Sequence, residues 1–172
     1  MAENKKQLTV SLEVKELMFD IMNKTYLTGK ARDAEQKGAN YESASNMQAS
    51  EDDENSYQLR RSMANAFSAL KSLLGEYLDE DKSTTNNLIS DEIDSDGQLV
   101  LAFKLPSNYN NASADSLGNN LHAYIVDIVV AEWFTITNKQ DAQDYYTHSA
   151  LSLENAKRAL YKRSRPTRPT YD

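Results

Sequence analysis

The sequence predicts a mainly α protein: a four-helix core with a small β-hairpin inserted between the second and third helices, and an extended C-terminal tail. Three observations lead there. Apolar residues recur at three-and-four spacing in four separate stretches. Between the second and third of these the period changes to two, over residues 98–105. Near the end, Arg165-Pro166 and Arg168-Pro169 hold each arginine out of helical geometry. With 172 residues, five Gly and no Cys, the chain suits one helical domain over residues 1–164, followed by a basic strap over residues 165–172.

The elements follow in order. Leu8, Thr9 and Val10 read as a short extended piece, and a helical period starts near Ser11. Val14, Leu17, Met18, Ile21 and Met22 fall on one face of a first helix expected to run to about Lys30. Residues 31–50 hold few large apolar groups and read as a long loop. The acidic run Glu51-Asp52-Asp53-Glu54 precedes a second helical pattern, and carboxylates there complement the positive end of a helix dipole. Its face of Leu59, Met63, Phe67, Leu70, Leu74, Tyr77 and Leu78 predicts a helix from about Glu54 to Asp79.

A hairpin is expected over residues 88–105, with a weaker strand at 88–93, Asp94-Ser95-Asp96-Gly97 as the turn, and Leu99, Leu101, Phe103 and Leu105 on one face of the stronger strand. Pro106 closes that strand because it has no N–H for further pairing. Ser113 or Asp115 caps a third helix, in which Leu117, Leu121, Tyr124, Ile125, Ile128 and Val129 occupy one face. Val126, Val130, Trp133 and Ile136 occupy the other, so this helix is buried on both sides, either at the centre of the fold or against another subunit. Trp133 is therefore expected to be largely buried. Thr137 with Gln140 has the capping-box form and opens a fourth helix. Its inner face is read as Ala142, Tyr145, Tyr146, Ser149, Leu153, Ala156 and Leu160, ending near Ser164.

Charge is distributed unevenly. Residues 1–156 carry 13 Lys and Arg against 25 Asp and Glu, a net −12, whereas residues 157–172 carry six against one, a net +5. An acidic body is a poor partner for nucleic acid or anionic lipid, while the tail fits phosphates or an acidic protein surface. The absence of Cys excludes disulfide scaffolds and thiolate metal sites. The longest nearly apolar run, residues 124–136, is too short for a bilayer span and is interrupted by Asp127 and Glu132. With no signal-peptide pattern at its start, the chain is expected to be made in the cytoplasm.

Catalytic and metal chemistry find little purchase. Glu92, Asp94, Asp96 and Gly97 imitate the first, third, fifth and sixth positions of an EF-hand loop, but Phe103 stands at the twelfth, where a bidentate Glu is required. His122 and His148 lie outside any metal-binding spacing and read as surface or packed side chains. Asp127 and Glu132, five apart on one helix, point about 140° from each other and do not converge. Each is expected to meet an Arg or Lys, within the chain or across a subunit boundary. Asp127, Val130, Glu132 and Trp133 thus form a candidate core or subunit-interface group, and no catalytic, metal or cofactor site is expected.

The C-terminal half resembles a known family. An alternating strand ending in Leu105-Pro106, the helix from His122 through Ala131-Glu132-Trp133 to Asn138, and a tyrosine-bearing helix that ends in Tyr161-Lys162-Arg163-Ser164-Arg165-Pro166 look like head-tail connector (adaptor) proteins of tailed bacteriophages, and resemble those of gut Bacteroides-type, crAss-like phages. The likeness covers residues 88–168. It implies a non-enzymatic virion protein at the head-tail interface, forming a homo-oligomeric, twelve-fold ring below the portal protein, contacting neighbouring connector or tail proteins and letting DNA pass without sequence-specific binding. Arg163, Arg165, Pro166, Arg168, Pro169 and Tyr171 are the expected docking residues of the strap. The alternative is a bacterial interaction or regulatory module whose basic tail binds nucleic acid.

Overall fold

In the computed structural model, residues 5–35, 47–50, 52–79, 81–84, 94 and 96–170 are described. Strand β1 (Lys6–Glu13) leads into helix α1 (Val14–Glu35). Helix α2 (Asp53–Leu73) and a 3-10 turn (Gly75–Tyr77) follow, then strand β2 (Gln98–Leu105). A second 3-10 turn (Asn111–Ser113) opens helix α3 (Ala114–Thr137), and helix α4 (Lys139–Leu160) completes the fold. The mainly helical architecture with a two-stranded antiparallel element is the one the periodicities predict.

The partner of β2 is the N-terminal strand. β1 and β2 pair antiparallel, with Leu8 opposite Phe103, Val10 opposite Leu101 and Leu12 opposite Leu99. These residues share the face that packs on the helices, and the intervening Gln7, Thr9 and Ser11 are exposed, as period-two alternation requires. Helix α1 accordingly starts at Val14, three residues later than its apolar period suggests, because Ser11, Leu12 and Glu13 belong to the strand. Residues 88–93, expected to form the other hairpin strand, lie outside the described residues. The second edge of β2 is met by Leu78, Asp79, Ser83 and Thr84. Asp79 N–H donates to Ala102 O at 2.7 Å and Thr84 N–H to Val100 O at 2.9 Å, while the Ser83 and Thr84 hydroxyls accept from the N–H groups of Ala102 and Val100. Both edges of β2 are thus occupied, which removes a template for strand addition.

Helix α3 is central: it packs against α4, α1, α2 and β1. Leu117, Leu121, Ile125 and Val129 are fully buried on one side, and Val126, Val130 and Phe134 on the other. Helices α3 and α4 are joined through Asn138 alone, so α4 turns back along α3. The far end of this helical pair is closed by a bridge between Tyr109 and Arg163, with Asn110 N–H donating to Lys162 O and Ser164 N–H to Asn108 O. That bridge ends α4 at Leu160 rather than near Ser164, since residues 162–164 have turned to pair with residues 108–110.

Other boundaries move for equally local reasons. Helix α2 stops at Leu73, short of Asp79, because the chain turns at Gly75 and Leu78 crosses to Phe103 of β2. Its acidic start is as expected, with Asp52 at the cap and Asp53 and Glu54 in the first turn. Ser113 occupies the position before α3 without a side-chain cap bond, and α4 begins after Asn138 and not at Thr137, whose hydroxyl donates back to Trp133 O at 3.1 Å and so stays within α3. Of the expected loop over residues 31–50, the first five residues are the end of α1. Ala49 is buried and its N–H donates to the Thr25 hydroxyl.

Candidate interaction surfaces

One face of α1 carries a ladder of polar residues four apart, and every rung reaches another helix. Asp20 accepts from or pairs with His122 Nε2 at 2.7 Å, Lys24 Nζ meets Asp127 of α3 at 2.5 Å, the Thr28 hydroxyl bonds the Tyr145 hydroxyl at 2.8 Å, and Arg32 Nε donates to Asp141 of α4 at 2.9 Å. Spacing by four puts all four on one stripe. Beside it runs the apolar stripe of Val14, Leu17 and Ile21, each fully buried. Asp127 is 5% exposed and its partner is within the chain, so it belongs to the core and not to a subunit contact. The fully buried Val130 is likewise core. The Arg32 guanidinium and the Asn138 amide hold the Asp141 carboxyl below the usual carboxylate range, against the opposing effect of burial.

Glu132 and Trp133 have a different environment. Both are partly buried, and Trp133 packs against the core with one side of its ring left open. Its indole N–H donates to Met47 O at 2.9 Å, which anchors residues 47–50 to α3. The rest of the ring lines an open groove of about 250 Å³ between the start of α2, the end of α3 and the second turn of α4. Leu59 and Gln58 form one wall, and Ile136 and Tyr146 the other side. Glu132 is the one charged side chain among its described lining residues. Ile136 is 78% exposed, far from the buried position its place on an apolar helix predicts. Tyr146, read as an inner-face residue, is exposed as well. The face of α3 that carries Glu132 and Ile136 is open at this end, whereas Phe134, on the other side of the same last turn, stays fully buried.

The basic tail begins inside the fold. Arg163 is partly buried, and its Nη1 donates to Leu160 O at 2.8 Å, satisfying a carbonyl at the end of α4. It is a structural residue more than a free docking group. From Ser164 to Thr170 every residue is exposed and outside helix or strand, and Arg165, Pro166, Arg168 and Pro169 lie in this stretch. Tyr171 lies outside the described residues.

Remaining sequence candidates resolve as local structure. Asp94 accepts from Asp96 N–H through its side chain and from Gly97 N–H through its carbonyl, making a turn whose next carbonyl, Gly97 O, accepts from Val14 N–H at the start of α1. His148 is exposed, with its ring edge-on to Tyr145. No group of three or more metal-binding side chains occurs among the described residues, and none of their helices is long and apolar enough to cross a membrane. No family model, curated protein or solved structure matches the chain.

Proposed function

We propose that the protein is a structural subunit of a bacteriophage head-tail connector, forming a twelve-fold ring that joins portal to tail and continues the DNA channel. The likeness of residues 88–168 to connector proteins supports this reading, and the observation that carries it is the placement of two unlike surface features. An open apolar groove lies where α3 meets α4, and an exposed basic arm leaves the opposite end of the same helical pair. Subunits of a closed ring need two different, mutually complementary faces. An acidic body that does not retain DNA suits a channel wall. The function is adhesive and mechanical, and it calls for no convergent set of titrating side chains.

Negative-stain images of the purified protein, alone and with its portal protein, test the proposal: annular particles support it, and a monomer under both conditions overturns it. Six cations within residues 157–172 favour a second reading, a module that binds nucleic acid through its tail. A chain truncated after Ser164 separates the two. It retains its stability within about 0.5 kcal/mol, since residues 165–170 bury little. If it then fails to assemble, the arm is a connector element; if assembly survives and only retention on a DNA column is lost, the second reading replaces the first.

A further inference from the structure

We propose that the arm of one subunit occupies the groove of the next, with Pro166-Thr167-Arg168-Pro169 lying across Trp133 and Tyr146 and an arginine meeting Glu132. The inference rests on the ring reading and specifies its contact. The arm has the spacing that extended proline-rich ligands use: two prolines three residues apart, each preceded by Arg. Such a segment is preformed in the left-handed extended helix, loses little entropy on docking, and seats its prolines against aromatic rings with a carboxylate taking the adjacent arginine. The described residues of the groove supply those partners: Trp133 with its indole N–H turned away to Met47 O and its ring open, Tyr146 opposite, Leu59 on the facing wall, and Glu132 as the one charge among them. The charge balance agrees, with a net −12 on residues 1–156 and +5 on residues 157–172.

Reach decides that the occupant comes from another copy. Residues 162–164 are pinned beside residues 108–110, close to the start of α3 at Ala114. Trp133 is nineteen residues further along α3, or about 29 Å at 1.5 Å per residue. From Ser164 to Pro169 an extended chain spans only about 16 Å. The arm therefore falls short of its own groove. A contact between one end of a subunit and the opposite end of its neighbour is head-to-tail, the kind that closes into a ring when the rotation per subunit permits.

Because the chain has no Cys, introduced thiols report this contact without background. Ile136→Cys and Thr167→Cys, both at exposed positions, are made in separate full-length proteins, mixed and mildly oxidised. A cross-linked pair is expected at more than about ten times the yield of a control mixing Thr167→Cys with Phe19→Cys, because a docked arm holds the two thiols at millimolar effective concentration. Adding Pro166→Ala and Pro169→Ala to the arm brings the yield down to the control. Trp133, the only tryptophan, gives a second readout: its emission moves to the blue as the full-length chain assembles and stays fixed in the chain truncated after Ser164. Annular particles with cross-linking at the control level overturn the arm-in-groove contact and leave the connector reading standing. A disulfide formed within a single chain carrying both substitutions also overturns it. A monomer in the presence of portal removes both.

Discussion

Replacing Lys24 by Met leaves the Asp127 carboxylate without its ammonium partner in the centre of the fold. Asp127 is 5% exposed on the helix that touches every other helix, and Lys24 is its hydrogen-bond and charge partner among the described residues. Removing one side of a fully buried pair costs about 3 to 5 kcal/mol, because an ion remains desolvated with nothing to offset it. The Lys24 side chain is 39% exposed, so water reaches the pair from one side and the expected loss is nearer 2 kcal/mol. Methionine keeps most of the aliphatic stem, which separates lost charge from lost packing. Urea unfolding followed by far-ultraviolet circular dichroism measures the change, with an unchanged denaturant slope as the sign that the folded state is intact. The companion variant Lys24→Met/Asp127→Leu removes both charges and is expected to recover at least half of the loss, since an apolar pair of similar volume has no ion left to desolvate. A single-variant cost within about 0.5 kcal/mol, the range of an ordinary surface change, would refute the reasoning. So would a double variant less stable than the single one.

Arg32→Met should destabilise by about 2 kcal/mol at pH 7 through lost charge-assisted bonds to Asp141. Because Arg32 depresses the folded-state pKa of Asp141, the contribution is present above the unfolded carboxyl value and is lost as pH falls through the depressed one; the gap between variant and parent in urea titrations should close below about pH 4, and a constant gap contradicts this. Trp133→Phe should cost about 1 kcal/mol, the value of its bond to Met47 O, and Trp133→Ala about 2 kcal/mol because the ring is only partly buried; a loss above about 4 kcal/mol in thermal unfolding would indicate full enclosure. Tyr109 buries a hydroxyl that has no hydrogen-bond partner among the described residues, and burial raises its pKa, so Tyr109→Phe should be neutral or stabilising by up to about 1 kcal/mol; a loss of stability would reveal a partner for that hydroxyl.

The fold class was legible because it depends on local periodicity. Every helix shows its buried stripe at three-and-four spacing, the acidic start of α2 and the proline stop after β2 are local rules, and the two-sided apolar character of α3 identified it as the central helix. The polar ladder of α1 was written there too, as Asp20, Lys24, Thr28 and Arg32. Polar residues four apart read equally well as a solvated face, and only packing distinguishes the two.

What the sequence determined by itself is therefore the set of elements, their order and the chemistry of the tail. The tertiary structure decided how they combine. The pairing of β1 with β2 joins residues more than 80 apart, and period-two alternation says which face of a strand is apolar without saying which strand will meet it. The burial of Asp127 and the exposure of Ile136 were settled in the same way. Both lie on one apolar helix, nine residues apart and so on opposite sides of it, and their environments follow from which side the neighbouring helices cover at each point. A residue's pattern is a property of its own segment; its cover is a property of what packs against it.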